Sequence, residues 1–268
     1  MTQPPRRSER GYYDSFFTGS ESEELDDGVG FQSLRRAQAS YLRQRIDPVA
    51  AKGTILSVGC GNGEIEMHLA DPHWHVAAFD LSFVGPATGR QRAAQRDLGR
   101  LSFGQASLTE LPLSACSCDV VIAMSVLHHI QPLKRAAALC EVHRVLKEGG
   151  WFLAYDPSKW RVLRLAKFLV RAKYDAVHSP DEEELSPRQM QQLAQEAGFE
   201  QVRVEFFDMF IDPLTWLFPD MSPTLFKLLY GFDRALVRFP GKQLASNFFL
   251  IGHKLSSAGG SSDNARLE

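Results

Sequence analysis

Cysteine is scarce in this sequence, with four among 268 residues. That excludes a scaffold built on disulfides and makes a reducing, cytosolic compartment the expectation. Long apolar runs are missing too: none approaches the ~18 residues of a membrane span. The opening MTQPPRRSER is polar and lacks the apolar stretch of a signal peptide. We therefore expect a soluble, cytoplasmic protein. Neither sign of charge dominates, because 30 Lys and Arg face 32 Asp and Glu for a net charge of -2. A dedicated nucleic-acid binder carries a basic excess, so no nucleic-acid partner is expected. There is no internal repeat. What is present is an ordinary globular composition, 44% hydrophobic and 23% charged, enough for one large α/β domain with elaborations or two small ones.

Residues 31–46, FQSLRRAQASYLRQRI, space Phe31, Leu34, Tyr41, Leu42 and Ile46 as an amphipathic helix. From Thr54 onwards, short apolar strands alternate with helical stretches: TILSVG (54–59), HVAAFD (75–80), RLSFGQAS (100–107), CDVVIAMS (118–125) and WFLAYD (151–156). A helix over 132–147 ends at Gly149-Gly150, and another over 186–199 starts with Ser186 as N-cap and Pro187 in its first turn. VRVEFF (202–207) and FFLIGHKL (248–255) read as two further strands. This alternation implies a doubly wound, mostly parallel sheet. The last segment, from 256, has the composition of a disordered tail.

The strongest chemical signal is ILSVGCGNGEIEMHLA, residues 55–70. A strand runs into Gly59-Cys60-Gly61-Asn62-Gly63, and a helix follows at once. Glycines here let the backbone turn sharply and approach a ligand with no Cβ in the way, and the helix start offers unpaired N–H groups. Asp80 ends the next strand, where an acid can accept from both ribose hydroxyls. The spacing is G-x-G-x-G rather than the G-x-G-x-x-G of a dinucleotide fold, so a ligand without pyrophosphate fits as well or better.

These blocks together resemble the class I S-adenosylmethionine-dependent methyltransferases, in the branch acting on small molecules. VGCGNG looks like the cofactor-binding first motif and FDLS, with Asp80, like the ribose-binding position. LTELPLSACSCDVVIAMSVLHHI is similar to the block that ends the fourth strand and faces the acceptor, and VLKEGGWFLAYDP to the turn and strand that follow. The resemblance covers Thr54 to Pro157 well and the rest loosely. It implies a seven-stranded, Rossmann-like sheet whose last strand, FFLIGHKL, is antiparallel. It also implies S-adenosylmethionine as cofactor, held by Ser57, Gly59, Cys60, Gly61, Gly63, Asp80, Leu81, Ser107, Leu108, Met124 and Ser125. Tyr12 and Tyr13 either close over that cofactor or anchor the N-terminal segment. Ser57 departs from the family, which usually has an acid there, and Ser107 stands where an Asp often binds the adenine amine.

The organisation this implies is an N-terminal helical segment and lid (1–50), a cofactor-binding core (51–157), and a remainder of the core (158–255) carrying helical acceptor-binding insertions at 158–185 and 211–243. His128 and His129 follow the fourth strand, where ligands sit in open α/β sheets. One of them is a candidate general base or substrate orienter. On a helical turn the two diverge by about 100°, so both are not expected to face the acceptor. Asp156 is a further candidate, against a simple capping role before Pro157. Cys116-Ser117-Cys118, with Cys60 and Cys140 elsewhere, matches no zinc-ribbon or zinc-finger spacing, and no metal is expected.

The insertion before the last strand is rich in large apolar residues, among them Trp216, Phe218, Phe226 and Tyr230. It points to a hydrophobic or aromatic small-molecule acceptor with O-methylation favoured, and equally suits a dimer interface, so monomer and homodimer both stay open. Residues 158–174 carry Lys159, Arg161, Arg164, Lys167, Arg171 and Lys173 without an acid. Such a helix either touches an anionic membrane surface weakly or simply covers the acceptor pocket. A nicotinamide-dependent oxidoreductase and a cofactor-binding protein without methyl transfer are the alternative functions.

Overall fold

A computed structural model of the chain describes residues 9–19, 27–161 and 182–255. Most of the basic segment 158–174 and all of the tail 256–268 lie outside the described residues. After helix α1 (Glu9–Thr18) comes α2 (Val29–Ile46), whose Leu34, Tyr41, Leu42 and Ile46 are buried at helical spacing while Arg43 and Arg45 sit in its last turn. Basic residues there complement the negative end of the helix dipole.

The strands are β1 (Gly53–Val58), β2 (Trp74–Asp80), β3 (Leu101–Gln105), β4 (Cys118–Met124), β5 (Leu146–Pro157), β6 (Glu200–Asp208) and β7 (Asn247–His253). They form one seven-stranded sheet in the order β3-β2-β1-β4-β5-β7-β6. Strands β1 to β5 pair in parallel, and β7 runs antiparallel between β5 and β6. The expected doubly wound, Rossmann-like sheet is therefore present.

The strand pleat sorts side chains into two cores. Ile55, Val76, Val120, Ile122, Leu153 and Tyr155 join Leu34, Leu42 and Ile46 of α2 on one face. Leu56, Val58, Val121, Ala123 and Phe152 join the helices α5 (Pro132–Val145) and α6 (Pro187–Glu196) on the other. Between these, α3 (Glu64–Leu69) follows the glycine turn and α4 (Val84–Gln95) packs against β3.

One boundary differs from expectation. α5 stops at Val145 and β5 begins at Leu146, five residues before the apolar run WFLAYD. Two partners pull these residues into the sheet: Leu146 pairs with Cys118, and the N–H of Gly149 donates to the Lys254 carbonyl at 2.7 Å. Gly149, with φ of +79°, absorbs the bend inside the strand.

The insertion between β6 and β7 forms α7 (Ile211–Leu217) and α8 (Pro223–Leu236). Ser222 caps α8 by accepting from the Leu225 N–H, with Pro223 in the first turn. Phe226 and Tyr230 of α8 pack on the α2 side of the sheet, while Leu228 and Phe232 stay exposed. No helix among the described residues is long and apolar enough to cross a membrane. The order of the sheet reverses at β1, so the carboxyl ends of β1, β2, β4 and β5 open on one crevice.

Candidate functional site

The turn after β1 is held by its backbone. The N–H groups of Gly59 and Cys60 both donate to the Phe79 carbonyl, at 2.7 and 3.1 Å, which ties the turn to the end of β2. Gly59 has φ of +68°, and a Cβ there would stand 2.1 Å from Val126 Cγ2. Only glycine meets both conditions. Asp80 then locks the turn from the side: Oδ2 accepts from the Gly61 N–H at 2.9 Å and Oδ1 from the Ser82 N–H at 2.8 Å. Burial pushes the Asp80 carboxyl above its usual range, against the pull of those two N–H groups.

Helix α1 lies across this turn. Asp14 accepts from the Ser82 hydroxyl at 2.5 Å and from the Phe83 N–H at 3.1 Å. Its carboxyl is held below the usual range, first of all by the Ser82 hydroxyl. The Phe17 ring sits 3.1 Å from where a Gly61 Cβ would be.

At the end of β4 the chain forms a short 3-10 turn, Leu127–His129. His128 Nδ1 lies 2.8 Å from Asp156 Oδ1, and the His128 N–H donates to the same oxygen at 3.2 Å. Asp156 ends β5 and is 1% exposed. Burial pushes its carboxyl well above the usual range, opposed by the backbone N–H groups of residues 126–128 and by Arg135. The tight turn brings the two histidine rings together, centroids 3.8 Å apart and planes tilted by 41°. His129 lies 2.9 Å from the Tyr13 hydroxyl and 3.4 Å from Glu182. Burial, then Glu182 and Glu9, raise the Tyr13 hydroxyl far above its ordinary range, so it stays protonated.

Under the turn, the Ser57 hydroxyl donates to Glu66 Oε1. Glu66 is 1% exposed, and its Oε2 has no hydrogen-bond partner. Burial pushes its carboxyl up to about 7, opposed by the Ser57 hydroxyl, its own backbone N–H and Arg35. Cys60 is buried beside Glu66 and Asp80, and desolvation with these two carboxylates raises its thiol well above the usual range.

These groups enclose a cavity of about 740 Å³. Of the residues named from the sequence, Gly59, Cys60, Gly61, Asp80, Leu81, Ser107, Leu108, Met124, Ser125, His128 and His129 line it. Four others stand behind the wall. Ser57 is buried against Glu66, and Gly63 faces the Phe103 ring, 2.5 Å from where its Cβ would be. Asp156 reaches the cavity through His128. Tyr12 is not in the wall, and Tyr13, a neighbour on α1 rotated by about 100°, is. Both histidines line the cavity, contrary to the divergence expected of neighbours, with their ring centroids 3.8 Å apart on the 3-10 turn.

Sequence reasoning missed Glu66, Arg35, Phe17 and Asp212, which also line the cavity. At the α7 end, Trp216 meets Phe31 edge-on with centroids 5.5 Å apart. The Trp216 indole N–H donates to Asp212 Oδ1 at 3.0 Å, while the Tyr155 hydroxyl and Asn247 Nδ2 donate to Oδ2 at 3.0 and 2.8 Å. The expectation of no metal came from cysteine spacing alone, and all four cysteines are free thiols. His128, His129 and Glu182 do place one ligand-type atom each within 4.8 Å of one another.

Comparison with known proteins adds family to geometry. Residues 55–150 match the family model described as a methyltransferase domain. The chain is 32% identical over 129 residues to the ubiquinone/menaquinone biosynthesis C-methyltransferase UbiE of Methylobacterium nodulans, covering 47% of this chain and 50% of that protein. It thus spans about half the length of the curated relatives it matches. Among solved structures, the [4+2]-cyclase SpnF superposes with a TM-score of 0.68 at 17% identity, covering 96% of this chain and all of that one. Phosphoethanolamine N-methyltransferase 2 of Haemonchus contortus, solved with phosphomonomethylethanolamine and S-adenosylhomocysteine, superposes with a TM-score of 0.58 at 18% identity, covering 82% of this chain and 53% of that one. At these identities the superpositions speak for the fold.

Proposed function

We propose that this chain, whose residues 55–150 match a methyltransferase domain, is a class I S-adenosylmethionine-dependent methyltransferase and transfers a methyl group from S-adenosylmethionine to an oxygen of a hydrophobic or aromatic small molecule. The observation that carries the transfer chemistry is His128, in the wall of the same cavity as the glycine turn and backed by Asp156.

The residues present fit the cofactor. Gly59 and Gly61 bring bare backbone to the cavity, and the space a Gly61 Cβ would fill lies between the turn and Phe17. Asp80 stands at the end of β2 with its carboxylate beside the turn. The volume suits a nucleoside-sized ligand with room beside it. Gly59, Gly61, Asp80, Leu81, Ser107 and Leu108 would hold the adenosyl part. Bound there, S-adenosylmethionine supplies an electrophilic methyl group on a sulfonium, transferred by in-line displacement.

The chain's own residues then orient the acceptor and move its proton. In the tautomer with the proton on Nδ1 of His128, 2.8 Å from Asp156 Oδ1, the lone pair is on Nε2. As the carboxylate, Asp156 would balance the charge of the imidazolium that forms. Nε2 takes the proton of a hydroxyl as the oxygen is methylated, a role worth about 10²–10⁴ in rate. Trp216 and Phe31 form an aromatic wall for the acceptor. In this reading 51–157 is the cofactor-binding core, 1–50 its lid, and 211–243 part of the acceptor site.

Calorimetry with S-adenosylmethionine, S-adenosylhomocysteine and reduced nicotinamides tests the cofactor, and product formation across phenols, amines and activated carbons tests the acceptor. We expect binding of the first two ligands and methylated phenols. Binding of the nicotinamides alone overturns the reading.

A further inference from the structure

We propose that Glu66 and Arg35 form a receptor for an α-amino acid zwitterion, Glu66 accepting from the ammonium and Arg35 donating to the carboxylate of the methionyl arm of S-adenosylmethionine. This rests on the cofactor reading and goes beyond it, because neither residue belongs to a cofactor motif in the sequence.

Glu66 is an acid with half its bonding capacity unspent. Oε1 accepts from Ser57, and Oε2, fully buried, accepts from nothing. A buried carboxylate oxygen without a donor costs several kcal/mol in general, and such groups are kept where a ligand completes them. Glu66 lines the cavity next to the glycine turn, and a ligand bound there would supply the missing donor. A cationic N–H donor satisfies both the charge and the lone pair.

Arg35 supplies the opposite sign. It projects from α2 into the same cavity, with its guanidinium carbon 4.4 Å above the Phe31 ring and Nη1 donating to Gln38 Oε1 at 3.0 Å. One bond from a fork of five donors leaves capacity for a carboxylate. An acid and a base in one wall, close enough for Arg35 to lower the Glu66 carboxyl, match a group carrying both charges. Asp80, at the β2 end of the turn, then faces the other end of the ligand.

The arrangement also accounts for Ser57. The carboxylate that the family's first motif usually carries on the strand stands here one helical element later, on α3, and Ser57 has become its hydrogen-bond donor.

The test is calorimetry on the full chain with three probes. S-Adenosylhomocysteine has both charged groups, its decarboxylated propylamine analogue has only the ammonium, and 5'-methylthioadenosine has neither. Glu66→Gln is expected to weaken the first two at least tenfold and 5'-methylthioadenosine less than twofold. Arg35→Met is expected to weaken S-adenosylhomocysteine at least fivefold and the propylamine within twofold. A Glu66→Gln protein that binds S-adenosylhomocysteine as the wild type does overturns the proposal, and so does an equal loss for all three probes. The double variant Ser57→Asp/Glu66→Gln returns the carboxylate to the strand and is expected to recover most of the affinity. Should Glu66→Gln fail to fold, the wild type decides: 5'-methylthioadenosine bound as tightly as S-adenosylhomocysteine overturns the zwitterion receptor and leaves the cofactor reading standing. Wild-type protein that binds none of the probes overturns the cofactor reading itself.

Discussion

His128 and Asp156 are joined twice, by ring and by backbone: one carboxyl oxygen lies 2.8 Å from Nδ1 and accepts from the His128 N–H at 3.2 Å. The second contact fixes the peptide that carries the ring, so ring orientation and turn conformation are one constraint. Removing either partner should therefore remove the same function. His128→Asn and Asp156→Asn are each expected to lower kcat about 10²–10³-fold, with S-adenosylhomocysteine affinity within twofold of wild type. The double variant should be no worse than the poorer single variant, since groups that act as a unit are not additive. Steady-state kinetics beside calorimetry on the three variants checks this.

The grouping of His128, His129 and Glu182 allows a separate check on how His128 works. A histidine acting as a base at Nε2 needs no ion. Dialysis against a chelator should leave turnover within twofold, and added zinc or manganese should not raise it. Chelation that abolishes activity, with recovery on adding one divalent ion, would reassign the histidines as ligands.

Gly59 tests the close approach of two elements. In Gly59→Ala the new Cβ meets Val126 at 2.1 Å, and the backbone keeps φ of +68°. Strain of this type costs about 1–3 kcal/mol, so thermal denaturation should show a lowered Tm and calorimetry a loss of S-adenosylhomocysteine binding. Adding Val126→Ala removes the 2.1 Å contact but leaves the residue's Cβ at 3.1 Å and the backbone left-handed, and should restore stability only in part.

Glu66 makes stability depend on pH. Its carboxyl keeps the proton up to about 7 in the folded protein, against a normal value of 4.5. The folded chain binds more protons than the unfolded one between those values, so this contribution is fully present below pH 4.5 and is lost as pH rises through about 7. The difference is about 3 kcal/mol at most. Arg35, Asp80, Cys60 and Ser57 all face this carboxyl, and burial raises Asp80 in the same direction. Ligand-free protein should melt higher at pH 5 than at pH 8, and Glu66→Gln should narrow that difference, the raised Asp80 and Asp156 carboxyls keeping the remainder.

Trp216 is expected to act on the acceptor alone. Trp216→Ala deletes the ring that meets Phe31 and frees Asp212 Oδ1 from its indole donor. KM for an apolar acceptor should rise about tenfold, the order of one lost aromatic contact, with S-adenosylhomocysteine binding unchanged.

The sheet was legible because each of its strands announces itself locally. Val120, Val121 and Ile122 form an apolar run that only a doubly covered strand tolerates, and the glycines after Val58 mark the turn. The start of β5 was not legible: Leu146 and Lys147 look like the end of a helix, and their strand character comes from Cys118 and Lys254, far away in sequence. The same distinction divides the site. Gly59, Asp80 and the two histidines follow strand ends and carry a positional signal. Glu66 and Arg35 sit on helices with the appearance of ordinary polar residues. Only the folded neighbourhood reveals that one is sealed from water and the other shares its cavity. Tyr13 rather than Tyr12 is a matter of one step of helical phase, which no periodicity fixed without knowing which face α1 presents.

The position of β7 has a consequence for how the molecule is made. Residues 247–253 are the last strand among the described residues, yet they lie inside the sheet, hydrogen-bonded to β5 on one side and β6 on the other. Until that stretch has cleared the ribosome, β5 and β6 have no common neighbour, and both expose unpaired edges of the kind that recruit other chains. The nascent protein must carry an open seam through the synthesis of α7 and α8, and seals it only when residue 253 emerges.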